Sequence, residues 1–172
     1  MSVSLPEPWL RGPVPGIPAL LQPAAHAFQM SVEDCVRAAA TLTPEELWTT
    51  PGGAASVGFH LRHLAGSTDR LLSYARGEAL SRPQIAALSA EAESGDPRPT
   101  AADLLESWRQ AADRALAQLA ATPEPTLLEP RSVGRARLPS TVLGLLFHAA
   151  EHASRHTGQV VTTTKMLVSS RR

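Results

Sequence analysis

Hydrophobic positions recur at three- and four-residue spacing in four long stretches of the chain, which is the period of an amphipathic helix. The stretches cover residues 19 or 24 to 42, 56 to 77, 100 to 121 and 140 to about 167. The last three begin at residues that favour helix N-caps, namely Ser56, Thr100 and Ser140. At roughly twenty residues each, the predicted helices would be about 30 Å long.

Proline and glycine are concentrated in the segments before and between these helices. Residues 1–18 predict an extended, proline-rich arm, with Trp9 and Leu10 as its expected anchors. Short extra helices are expected within 44–48 and 81–93, and residues 123–139 predict a loop or a short hairpin. The pattern therefore favours one all-α domain over residues 1–172, an antiparallel four-helix bundle. The order of its helices stays open, because a long connection can cross the bundle.

Composition and charge exclude several classes of protein. The 172 residues include 16 basic and 16 acidic side chains, with no basic stripe of the kind that binds nucleic acid or an anionic membrane. No apolar run approaches the roughly 18 residues of a membrane-spanning helix, and residues 1–12 do not resemble a signal peptide. The single cysteine, Cys35, is interpreted as a core residue and suits a reducing compartment, so we expect a cytoplasmic protein.

Five of the six histidines fall into two clusters on predicted helices: His60 and His63, then His148, His152 and His156. The last three lie on one ridge, because residues four apart are neighbours on a helix. Two imidazoles one turn apart can converge on a single ion, and His60 or His63 could supply a third nitrogen from a facing helix. The competing interpretation is a buried network of hydrogen-bonded histidines without a metal.

The two histidine segments are His60-Leu-Arg-His63-Leu-Ala-Gly-Ser67 and His152-Ala-Ser-Arg-His156-Thr-Gly158-Gln159. Together they resemble the DinB-like metalloenzyme superfamily, and the likeness extends from about residue 18 to residue 167. The resemblance implies a four-helix bundle in which His63, His152 and His156 hold a divalent metal. Zinc and nickel are the first candidates.

Other residues are candidates for supporting roles around such a site. A contact to the metal or to its ligands is expected of His60, His148, His26 and Gln159. Gly158 is expected to allow the close approach of a neighbouring helix. No catalytic acid or base is assigned, since Glu151 points to the flank of its helix.

Three functions remain open at this point. The resemblance favours an S-transferase that uses a low-molecular-weight thiol, such as bacillithiol or mycothiol, against electrophilic small molecules. Cationic groups for a carboxylated thiol would then be needed, and Arg62, Arg70 and Arg155 are the candidates. The alternatives are a metal-dependent hydrolase and a non-catalytic, stress-response metal-binding protein. A homodimer and a small-molecule substrate are also expected, with no nucleic acid or membrane as partner.

Overall fold

Four long helices pack around one core in the computed structural model, which describes residues 5–169. The first four residues of the predicted arm and the last three of the predicted domain lie outside the described residues. The helices are α1 (Gln22–Ala39), α2 (Pro44–Leu47), α3 (Val57–Ala75), α4 (Arg82–Ala90), α5 (Ala101–Ala121) and α6 (Val142–Ser169). The long helices are α1, α3, α5 and α6, and the short α2 and α4 lie in the connections, as the sequence predicts.

The long helices form a ring in which α1 and α3 each pack against both α5 and α6. The helices α3 and α6 run antiparallel, since His60 contacts His156 while His63 contacts His152. In contrast, α1 and α6 run parallel: the groove between them is lined by Met30 beside Ser154 at one end and by Ala38 beside Val168 at the other. The antiparallel packing that the sequence favours therefore holds for α3 and α6 but not for α1 and α6, and the order that the sequence leaves open is one in which long connections let α1 and α3 lie diagonally across the bundle.

The helix starts depend on side-chain caps. Ser56 accepts a hydrogen bond from the Phe59 N–H at the start of α3, and Thr100 forms a reciprocal capping box with Asp103 at the start of α5. At the start of α6 the cap is Thr141, whose hydroxyl accepts from the Gly144 N–H at 3.0 Å. The prediction of Ser140 as that cap is wrong by one residue, because β2 continues through Thr141 and α6 begins at Val142.

A two-stranded antiparallel hairpin occupies the connection between α5 and α6. It pairs β1 (Pro130–Val133) with β2 (Leu138–Thr141), with Pro130 opposite Thr141 and Val133 opposite Leu138. The sequence left a loop and a hairpin open for this segment, and the hairpin is what forms.

The N-terminal arm is fixed to α1 by polar contacts. Gln22 hydrogen-bonds the backbone of Val14 and Ile17, and Arg11 pairs with Glu33. Trp9 and Leu10, the predicted anchors, are 57% and 56% exposed, and Pro8 beside them is the buried residue of that turn.

In the core, Phe28 of α1 and Trp108 of α5 are fully buried and in ring contact. Cys35 is buried there as predicted, and burial raises the pKa of its thiol to about 11. Among the described residues, no helix has the length and apolar character that crossing a membrane requires.

Candidate metal centre

Four histidines meet where α3 and α6 face each other. His60 and His63 lie one turn apart on α3, and His152 and His156 lie one turn apart on α6, so the antiparallel packing places the two pairs opposite each other. One nitrogen from each of His63, His152 and His156 lies within 4.8 Å of the other two. All three side chains are half-buried. This set of three nitrogens could hold a metal ion.

The Nδ1 atom of each of these three histidines has a polar partner. The Nδ1 atom of His63 lies 2.7 Å from the Glu91 carboxylate, and Nδ1 of His152 lies 3.4 Å from the Ser67 hydroxyl. Nδ1 of His156 lies 2.9 Å from Nδ1 of His60. Histidines that bind metals characteristically have such a contact on the nitrogen that faces away from the ion.

These contacts leave two nitrogen lone pairs facing each other. A carboxylate only accepts hydrogen bonds, so Nδ1 of His63 carries a proton, and the neutral ring then has none on Nε2. The Ser67 hydroxyl donates to the His63 carbonyl and so accepts from Nδ1 of His152, whose Nε2 is left bare as well. The two Nε2 atoms are 3.4 Å apart, against about 3.3 Å for two nitrogens on a tetrahedral zinc ion. The donor set therefore fits a divalent cation, which would satisfy both lone pairs.

Burial keeps the α6 histidines neutral. Burial and the neighbouring His63 lower the pKa of His152 from 6.5 to about 4 and that of His156 to about 3. Burial also lowers the pKa of His60. Neutral imidazole is the form that coordinates metals, so at neutral pH no proton has to be removed from His152 or His156 before an ion binds.

Sequence reasoning did not find Glu91. This residue directly follows the last residue of α4. Its side chain is 7% exposed and contacts both Arg70 and His63. Burial alone would raise the pKa of this carboxyl, but hydrogen bonds from His63 and Arg70 outweigh that effect and lower it. No spacing rule links a residue in a connection to a histidine 28 positions earlier, so the sequence carries no signal for this contact.

The model of the DinB superfamily matches residues 25–160, which include every histidine of the site. The chain belongs to the DinB superfamily. No curated protein matches the chain.

Two solved structures are similar to this DinB-superfamily fold. One is a conserved protein from Enterococcus faecalis, with a TM-score of 0.66 and 18% identity over 87% of this chain and 97% of that one. The other is a DinB-like protein from Bacillus cereus, with a TM-score of 0.59 and 16% identity over 83% of this chain and 89% of that one. At these identities the similarity shows a shared fold.

Within this DinB-superfamily bundle, the structure brings some of the supporting candidates to the site and not others. His60 contacts His156, as described above. His148 is 49% exposed and lies 3.3 Å from Glu151, and its ring meets the edge of the His152 ring, with the centroids 5.6 Å apart. His26 hydrogen-bonds the Gly12 carbonyl in the arm, and Gln159 is exposed.

Gly158 was expected to lie against a neighbouring helix, and this is wrong within the chain. A β-carbon at Gly158 would meet no atom within 4 Å. Two glycines of α3 are the tightly packed ones: Gly58 lies against the Trp48 ring, and Gly66 lies against Glu91 and Arg70.

The three arginines considered for a thiol pocket all have contacts within the chain. Arg70 is nearly buried and pairs with Glu91, while Arg155 is exposed and pairs with Glu151. Arg62 donates to backbone carbonyls that follow α4 and lies over the Trp48 ring. Only Arg155 has a guanidinium exposed enough for a ligand to approach without displacing buried structure.

Proposed function

We propose that this protein is a divalent-metal-dependent enzyme in which Nε2 of His63, His152 and His156 binds the ion. The observation that carries the proposal is the 3.4 Å separation of the His63 and His152 Nε2 atoms, with Nδ1 of each ring facing the side-chain oxygen of Glu91 or Ser67. A hydrogen-bonded network without a metal would place a donor between two such acceptors. Zinc and nickel are the expected ions, because imidazole nitrogen suits both.

Three neutral ligands suit catalysis better than a purely structural role. Structural zinc sites use four protein ligands, whereas catalytic sites use three and keep a position open. A bound divalent cation would lower the pKa of a thiol or a water molecule at that open position. The chain's own contribution is to orient the three imidazoles, through Glu91, Ser67 and His60, while burial keeps His152 and His156 neutral.

Of the two possible nucleophiles, a thiol and a water molecule, we propose the thiol. The enzyme would transfer it to an electrophilic small molecule. A hydrolase would need a carboxylate within hydrogen-bond reach of its water. Glu91 is occupied by His63 and Arg70, and Glu151 pairs with Arg155 and His148. A thiol needs less assistance, because its unperturbed pKa of about 8.5 is already close to neutral.

Phe59 shapes the environment of the proposed site. Its ring stacks on His63, with the ring centroids 5.4 Å apart and the planes 13° from parallel. An apolar ring in this position shields one face of His63 from water, which strengthens electrostatic interactions nearby.

The test is thiol conjugation to an aryl halide by protein loaded with zinc or with nickel. The expected result is a rate above the uncatalysed reaction that falls to background in His156→Ala. His26→Ala is the matched control, since it removes an imidazole that contacts the Gly12 carbonyl in the arm, and it should react like the wild type.

Two other results would replace the proposal. Ester or amide hydrolysis without thiol consumption, lost in His156→Ala, would favour the hydrolase. A loaded protein with neither activity would favour a non-catalytic metal-binding protein.

A further inference from the structure

Glu91 reaches the metal centre from outside the four long helices. It follows α4, in the connection between α3 and α5, and its two carboxylate oxygens have different partners. Oε2 lies 2.7 Å from Nδ1 of His63, and Oε1 lies 2.6 Å from Nη1 of Arg70. If the Glu91 carboxylate paired only with Arg70, both of its oxygens could accept from the guanidinium, which favours two parallel hydrogen bonds. The divided contact indicates that Arg70 holds the carboxylate while the second oxygen serves His63.

One face of α3 receives the segment that carries Glu91. Arg62, His63, Gly66 and Arg70 lie on this face, since their positions fall within about 100° around the helix axis. A β-carbon on Gly66 would collide with Glu91 Oε1 and lie 2.8 Å from Arg70 Nη1, so a larger residue here would displace the ends of both side chains.

Arg62 fixes the backbone of the same segment. Its guanidinium donates to the carbonyls of Ala90, Glu93 and Ser94, on both sides of Glu91 in the chain. Glu91 is thus held at its side chain by Arg70 and at its backbone by Arg62.

We infer that Glu91 is the positioning residue of the metal centre, an inference that rests on the proposed function. Its carboxylate accepts from the His63 Nδ1–H, which fixes one tautomer and one orientation of the ring and directs the Nε2 lone pair towards the ion. A negative partner also makes the imidazole a stronger donor to a metal. The connection between α3 and α5 is therefore part of the site, although it supplies no ligand.

The first test is zinc affinity, measured by competition with a chromophoric chelator. Glu91→Ala is expected to bind zinc roughly 10- to 100-fold more weakly than the wild type, the usual effect of losing such a partner. Glu91→Gln should lie between the two, because its amide oxygen still accepts a hydrogen bond. It also keeps the side-chain volume, in case the alanine variant does not fold. Glu93→Gln is the control, since it removes the same charge from an exposed position two residues away.

The second test reads the tautomer of His63 directly, by nitrogen NMR of the metal-free protein. The expected result is a proton on Nδ1 in the wild type and a mixture of tautomers in Glu91→Ala. Loss of stability alone would not produce this change.

The outcomes separate the inference from the proposed function. If the wild type binds no zinc, the proposed function fails and the inference fails with it. If the wild type binds zinc and Glu91→Ala binds it equally tightly, or keeps His63 in one tautomer, the inference alone is overturned.

Discussion

At the scale of single residues, the histidine site depends on how closely α3 approaches the end of α4. Gly66 lies under the Glu91 carboxylate and the Arg70 guanidinium, whereas Gly158 on α6 faces open space. The two positions therefore form a matched pair, because both are helical glycines and only one has crowded surroundings.

Gly66→Ala is expected to destabilise the protein by about 1–3 kcal/mol, the usual cost of overpacking, less the benefit of replacing a helical glycine. Gly158→Ala should stabilise it by about 0.5–1 kcal/mol, since only that benefit applies. Urea denaturation of both variants measures the difference. Equal midpoints for the two variants would contradict the tight packing around Gly66.

Because of its buried histidines, we expect the stability of the metal-free protein to depend on pH. The folded-state pKa of His152 is lowered from 6.5 to about 4 and that of His156 to about 3, by burial first and then by His63. As the pH falls, the unfolded chain therefore binds these protons at a higher pH than the folded chain does. The free energy of unfolding has its full value above pH 6.5 and decreases as the pH drops towards about 4.

Urea midpoints in the presence of a chelator, at about pH 7.5 and about pH 4.5, check this prediction. The groups that act on the two rings are His63 and His60 on α3 and His148, Glu151 and Arg155 on α6. The double variant His152→Asn and His156→Asn should lose less stability between the two pH values than the wild type does. A wild type with the same midpoint at both values would show that the rings are not buried in neutral form.

The sequence predicts the site residues that follow helical spacing and misses the others. His152 and His156 are recognisable because a metal pair on a helix has a fixed separation of four positions. Glu91 and Ser67 act through contacts between elements, and such contacts depend on tertiary packing that no local pattern encodes.

At the scale of elements, the helices are predictable because periodicity and capping agree. The caps Ser56 and Thr100 are where the sequence places them, since each comes directly before an amphipathic run. The start of α6 is displaced because β2 continues through Thr141, and a strand in that position depends on pairing with β1 rather than on its own sequence.

Thr141→Ala is expected to cost about 1 kcal/mol, the usual effect of losing an N-cap. Ser140→Ala serves as the control and should cost less, because its hydroxyl makes only a 3.5 Å contact with the Thr141 carbonyl. Thermal or urea denaturation distinguishes the two. A larger loss for Ser140→Ala would place the cap where the sequence alone predicts it.

At the scale of the whole molecule, the bundle places its site between helices that are far apart in sequence. The residues of α3 and α6 in the site are about 90 positions apart, and they meet because these helices are antiparallel neighbours in the ring. Composition and periodicity predict four helices, but the choice of neighbours depends on how the long connections cross the bundle. This explains why the fold class could be predicted and the helix order could not.

Metal content per chain tests the central claim most directly. Elemental analysis of wild-type protein, purified without an affinity tag or chelator and then incubated with zinc or nickel, should find about one ion per chain. His156→Ala should hold almost none while remaining helical, and His26→Ala, which removes an imidazole in contact with the arm, should match the wild type. A wild type that takes up no ion, or a His156→Ala variant that takes up as much as the wild type, would contradict the account.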